Sequence, residues 1–104
     1  METKEDILKQ IDEDVKKHPV LLYMKGNKEM PVCGFSAKVV YILDDYGIDY
    51  ETRNVLEDED LRAAIKEYSD WPTLPQLYIN GQFVGGCDIV QELHASGELK
   101  TLLS

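Results

Sequence analysis

The sequence predicts an α/β domain, a four-stranded mixed sheet with about five helices covering both faces. Three observations carry this. The run Val20-Leu21-Leu22-Tyr23-Met24 is apolar throughout and too short for a comfortable helix, which suits a strand buried on both faces. It lies between two segments whose apolar residues recur at helical spacing. Further on, Asn80-Gly81 separates two short strand-like runs, and Asn-Gly is the strongest short hairpin signal.

The elements follow in order. Ile7, Leu8, Ile11 and Val15 make residues 4–17 an amphipathic helix. His18-Pro19 ends it, because the residue before proline avoids helical geometry. Val20–Met24 is the first strand, closed by Lys25-Gly26, and Asn27 to Val32 is a polar loop. From Phe35 on, Val39, Val40, Leu43 and Tyr46 form one helical stripe, and Gly47 stands where a C-terminal glycine belongs. Ile48 to Thr52 alternates and reads as a half-exposed strand. Glu57-Asp58-Glu59-Asp60 suits the start of a third helix with Leu61, Ile65 and Tyr68 inside. Residues 69–73 are a loop. Gln76–Ile79 and Gln82–Val84 form the hairpin, and a short helix from Asp88 puts Ile89, Val90 and Leu93 inside. Gly97 stops it, and Leu99, Leu102 and Leu103 mark a last helical turn or two. The first two strands, joined by a helix, are expected to be parallel with a right-handed crossover.

The 104 residues fit one domain spanning 1–104, with no repeat or linker. A net charge of −9 argues against nucleic acid, where affinity comes from clustered basic residues. No apolar run approaches the roughly 20 residues that span a bilayer. Met1 to Asp6 is acidic and helical in pattern, unlike a secretory or transit peptide. Two cysteines make no disulfide scaffold, so the cytoplasm, where thiols stay reduced, is the expected compartment.

Cys33 is the chemical centre of the chain. It sits at a strand-to-helix junction, where free N–H groups and the helix dipole favour a thiolate. The bland alternative is a buried small hydrophobe, but Pro31 and Gly34 place it in a loop, and loops lie at the surface. A redox pair would read C-x-x-C, whereas the fourth residue here is Ser36. Cys33 therefore has no neighbouring thiol to resolve a mixed disulfide.

Other positions have two readings. Pro75 is an ordinary strand-start proline or a cis peptide, and the rarity of cis favours trans. Gly85-Gly86-Cys87-Asp88 is a hairpin exit with an N-cap aspartate, or exposed N–H groups that hold a carboxylate while Asp88 accepts from an ammonium. Cys87 reads as packed rather than reactive. Lys25 leaves the first strand at the end that delivers Cys33, where α/β ligand sites gather. Arg62, taken alone, is an ordinary surface cation. His18 and His94 lack metal-ligand spacing.

Three blocks, Cys33-Gly34-Phe35-Ser36, Trp71-Pro72-Thr73-Leu74-Pro75-Gln76 and Gly85-Gly86-Cys87-Asp88, resemble in order and spacing a monothiol glutaredoxin of the CGFS class, single-domain form. The likeness runs from the first helix to Leu103. It implies a thioredoxin-like fold and a glutathione groove. Lys25 and Arg62 would grip the glycyl carboxylate, and Leu74 would pair its backbone with the tripeptide. Pro75 would be cis, against the base-rate reading, and Cys87 and Asp88 would hold the γ-glutamyl end. The family also holds a [2Fe–2S] cluster between two protomers. Cys33 would be its metal ligand, once per chain of a homodimer, with two glutathione thiols completing four sulfurs. A BolA-like protein and iron–sulfur recipient proteins are the partners this implies.

Two functions follow: a carrier in iron–sulfur cluster assembly or transfer, or a glutathione-dependent thiol–disulfide oxidoreductase with Cys33 as catalytic nucleophile on protein–glutathione mixed disulfides. A redox-inert adaptor is the third, bland reading. A Cys33–Cys87 disulfide would need Cα atoms within about 7 Å.

Overall fold

In a computed structural model that describes residues 2–104, Thr3 opens the first helix, α1 (Lys4–Lys17). Its hydroxyl accepts from the Asp6 N–H while the Asp6 carboxylate accepts from the Thr3 N–H, both at 3.1 Å. This reciprocal pair satisfies two donors that a helix start leaves free. Ile7, Ile11 and Val15 are its buried stripe.

β1 (Val20–Met24) is buried along its whole length and lies inside the sheet, whose order is β2-β1-β3-β4. It runs parallel to β2 (Glu51–Asn54) and antiparallel to β3 (Gln76–Ile79), which pairs antiparallel with β4 (Gln82–Gly85). Because successive strand side chains point to opposite faces, β1 serves two cores. Val20, Leu22 and Met24 pack toward α2 (Gly34–Asp45), α4 (Cys87–Ser96) and α5 (Glu98–Leu103). Leu21 and Tyr23 pack toward α1 and α3 (Glu59–Ser69). Helices thus cover both faces of a mixed sheet, in the predicted α-β-α-β-α-β-β-α-α order. At the hairpin tip Asn80 (φ 51°) and Gly81 (φ 79°) both take the positive φ of the expected tight turn.

Several boundaries differ from the sequence reading: the second strand runs on to Asn54 and the last to Gly85, and three elements begin elsewhere than expected. The second strand starts at Glu51, not Ile48, because pairing with β1 begins only where Glu51 meets Leu21. Ile48 and Tyr50 instead pack on the α2 side, and the Tyr50 hydroxyl donates to Asp44 at 2.7 Å. The acidic run is divided: Glu57 ends a 3₁₀ turn (Val55–Glu57), and Asp58 caps α3 by accepting from the Leu61 N–H at 3.1 Å. The fourth helix begins at Cys87 with Gly86 as its N-cap, so Asp88 lies in the first turn and is not the cap. The close approach of that turn to the preceding loop selects glycine. A Cβ on Gly86 would stand 3.2 Å from the Pro75 carbonyl oxygen and 3.4 Å from Trp71 Nε1.

Candidate functional site

The site is built where β1 ends. Past Met24 the next two N–H groups have no acceptor on a neighbouring strand, and side chains accept from them instead. The Lys25 N–H donates to Ser36 Oγ at 3.1 Å, and the Gly26 N–H donates to Asn54 Oδ1 at 3.0 Å. The following loop is pinned by the Val32 N–H, which donates to the Lys25 carbonyl at 3.1 Å, and by a bridge between Gly26 and Pro31. Lys28 reaches back to donate to the Tyr50 carbonyl at 2.8 Å and sits over the Tyr50 ring. The loop that delivers Cys33 is therefore held at both ends and in its middle.

Cys33 is the N-cap of α2, half-buried, with extended backbone (φ −139°, ψ 134°). Its thiol is held below the ordinary cysteine range. The Ser36 backbone N–H is the main cause, helped by the Phe35 N–H, the Lys25 charge and the Ser36 hydroxyl, with partial burial opposing. Met30, Val32 and Phe35 flank this sulfur in sequence and are 69%, 59% and 57% exposed, an apolar rim open to solvent.

A groove of about 480 Å³ opens beside the sulfur, a volume in the range of small-molecule sites. Lys25, Cys33 and Phe35 form one side, the loop Trp71–Pro75 a second, and residues 86–89 a third. Gln76 fixes the second wall from beneath. It is fully buried, its Nε2 donates to the Trp71 and Thr73 carbonyls at 3.3 and 3.2 Å, and its Oε1 accepts from Tyr78. The Leu74–Pro75 peptide is cis, against the base-rate expectation and in line with the resemblance. The third wall is the first turn of α4, whose N–H groups have no intrahelical partner.

Of the six residues singled out, the fold gathers Lys25, Cys33, Leu74, Cys87 and Asp88 around this groove. Leu74 sends its side chain into the core under α1 and α3, which leaves its backbone for the groove. Arg62 is not among the lining residues; Lys66, one turn further along α3, is. Sequence reasoning missed Lys66, although an i, i+4 relation to Arg62 puts both on one helix face. Cys87 is buried, as expected, and its thiol is pushed up chiefly by desolvation, with Asp88 and Cys33 adding to this and Lys38 opposing.

The two cysteines should therefore alkylate at different pH. Cys33 is expected to reach half its maximal iodoacetamide rate below the pH of free cysteine, and Cys87 above it. Peptide mass spectrometry across a pH series reads both; coincident profiles would contradict the geometry. The stability signs are opposite too. The fold favours the Cys33 thiolate, a contribution present above the unfolded pKa and lost as pH falls through the folded one. It favours the Cys87 thiol, a contribution present below the unfolded pKa and lost as pH rises through the folded one.

Comparison with known proteins agrees with this arrangement. A family model described as glutaredoxin matches residues 20–84. A probable monothiol glutaredoxin 2 of Rickettsia typhi is 57% identical over 96 residues, covering 92% of this chain and 86% of that protein. Among solved structures, reduced apo GrxS14 of poplar superposes with a TM-score of 0.79 at 53% identity, over 89% of this chain and 85% of that one. A buckwheat glutaredoxin–glutathione complex superposes with a TM-score of 0.85 at 27% identity, over 96% and 89%. The four-stranded sheet with its five helices is thus the thioredoxin-like fold. With a lone acidified cysteine at the head of α2 and serine in place of a second, the chain belongs to the glutaredoxin family as a monothiol glutaredoxin.

Proposed function

We propose that the protein binds glutathione and carries a [2Fe–2S] cluster in iron–sulfur assembly or transfer. The observation that supports this is a single acidified sulfur opening onto a groove lined by two cations, Lys25 and Lys66, and by the first turn of α4. The groove matches the tripeptide in chemistry. Lys25 and Lys66 suit the glycyl carboxylate, the Leu74 backbone suits the peptide, and the first turn of α4 with Asp88 suits the zwitterionic γ-glutamyl end. A hydrogen bond to a charged group contributes about 1.5–3 kcal/mol net, and millimolar affinity needs only about 4 kcal/mol. Two or three such contacts suffice after ordering costs.

Among the described residues no three His, Cys, Asp or Glu side chains gather as a metal site. A cluster held here draws its remaining ligands from outside the chain. Cys33 supplies one sulfur, a second copy supplies another, and two glutathione thiols complete the four that such a cluster needs. When bound, the cluster supplies transferable iron and sulfide. The chain's own residues hold a thiolate, orient the tripeptide beside it and offer an apolar rim for the second protomer. The same rim suits a BolA-like or recipient protein, in the cytoplasm where thiols stay reduced.

Anaerobic incubation with iron, sulfide and glutathione tests this. Cluster absorption in the visible range with a doubled mass is expected. A colourless monomer, or absorption untouched by omitting glutathione, would reject it.

The lowered thiol pKa of Cys33 favours a second reading, reduction of protein–glutathione mixed disulfides. The Cys33 thiolate attacks the glutathione sulfur and the substrate thiolate leaves. A second glutathione thiolate then attacks the Cys33 adduct, releasing oxidised glutathione and restoring the thiolate. Negligible turnover of a glutathionylated peptide leaves the carrier reading alone.

The cations are separable by substitution. Lys66→Gln is expected to weaken S-methylglutathione binding about tenfold, the scale of one lost charged contact. Arg62→Gln is expected to change it by less than about twofold, as for a charge outside the groove. The fluorescence of Trp71, the only tryptophan and a groove residue, reads both. The reverse ranking would restore Arg62 to the binding set.

A further inference from the structure

Ser36 looks at first like the mere absence of a second thiol. Its surroundings give it a role of its own. It is one of two buried polar residues among those described, at 0% exposure. β1 keeps backbone partners on the β3 side as far as Tyr23 and on the β2 side as far as Met24. The next two amides, those of Lys25 and Gly26, fall beyond both registers. Ser36 Oγ takes the first at 3.1 Å and Asn54 Oδ1 takes the second at 3.0 Å. Ser36 also lies in the same helical turn as Cys33. One oxygen therefore couples the residue that presents a groove cation to the turn that presents the sulfur.

We propose that Ser36 is a positioning residue: its hydroxyl fixes the spacing between Lys25 and Cys33, and so sets the groove's affinity for a ligand whose sulfur and terminal carboxylate must be met together. The identity of that ligand, glutathione, rests on the reading above; the coupling does not. Alanine at 36 takes the acceptor away from the part-buried Lys25 N–H, which loosens its hold on the strand end. Cysteine fares no better. Its sulfur is a weak acceptor on a longer bond. A second thiol here would therefore hold the strand end more weakly than the hydroxyl does.

Amide hydrogen exchange tests the coupling without any ligand. In the parent protein the Lys25 amide, which has no strand partner, is expected to be protected. In Ser36→Ala it should exchange at least about tenfold faster, while the Leu22 amide keeps its rate. Binding then tests the consequence in the folded variants, read by Trp71 fluorescence. S-methylglutathione is expected to weaken about three- to tenfold in Ser36→Ala and in Ser36→Cys, the range of one hydrogen bond. S-methyl-γ-glutamylcysteine lacks the glycine, cannot place its carboxylate at Lys25, and should change by less than about twofold. An unprotected Lys25 amide in the parent, unchanged exchange in the variants, or equal losses for both ligands would overturn the proposal. Should the parent bind neither ligand, the glutathione reading fails by itself, and the exchange rates alone decide whether Ser36 holds the strand end.

Discussion

On the proposed carrier and exchange functions, Cys33→Ser is expected to abolish both cluster binding and thiol exchange while leaving the melting temperature no lower than that of the parent. The two halves have one cause. Cys33 is the N-cap of α2; its thiol makes no capping hydrogen bond, but the backbone N–H groups of Ser36 and Phe35 lower its pKa and so favour the thiolate. Serine is among the best N-cap residues, and its oxygen accepts from the same donors over a shorter reach. The helix start therefore loses nothing and gains an acceptor, and Cys33→Ala in the same series is expected to fall below serine by about 1 kcal/mol. Chemistry has no such substitute, since a hydroxyl at neutral pH is neither a soft metal ligand nor a leaving group in disulfide exchange. Cys87 cannot stand in, because it is buried and its thiol is pushed up. Reconstitution, turnover and thermal melts on both variants check this. Residual cluster in Cys33→Ser would move the ligand elsewhere, and a large drop in stability would mean that serine does not cap this helix start.

What the sequence revealed, and what it withheld, follows from how locally each feature is determined. The buried run Val20–Met24, the Asn80-Gly81 turn and the helix after Cys33 depend on neighbouring residues, and all stand where the pattern put them. The start of β2 depends on parallel register with a strand some thirty residues away, and Ile48 to Thr52 carries no mark of it. Asp88 is as good an N-cap residue as Asp58, yet the packing of Gly86 against Pro75 and Trp71 sets the helix to begin one residue earlier. Arg62 and Lys66 share a helix face. Which of them meets the groove depends on how α3 sits along α1, a tertiary fact. Ser36 was legible as a missing thiol. That its oxygen serves Lys25 emerges only once strand and helix are brought together.

The largest structural effect is expected from Gly26→Ala. Gly26 has φ +91°, and a Cβ there would lie 2.6 Å from the Met30 carbonyl oxygen, 2.8 Å from the Val32 nitrogen and 3.1 Å from Pro31 Cα. All three are backbone atoms, so no side chain can rotate out of the way. The bridge from Gly26 to Pro31 and the Val32-to-Lys25 hydrogen bond must open instead, and Cys33 is the next residue along. Strain of this kind costs on the order of 2 kcal/mol or more, which for a domain of this size lowers the melting temperature by roughly 10 °C. Gly47→Ala separates the two contributions. Its φ is also positive, at +67°, but nothing lies within 4 Å of the added Cβ. It should cost only the backbone term, about 1 kcal/mol, and leave the Cys33 alkylation profile in place. Gly26→Ala should shift that profile toward free cysteine as well, because the turn that acidifies the sulfur is displaced with the loop. Equal melting temperatures for the two variants would mean that the loop yields freely. The thiolate would then depend on the helix end alone, without the strand and loop that bring it there.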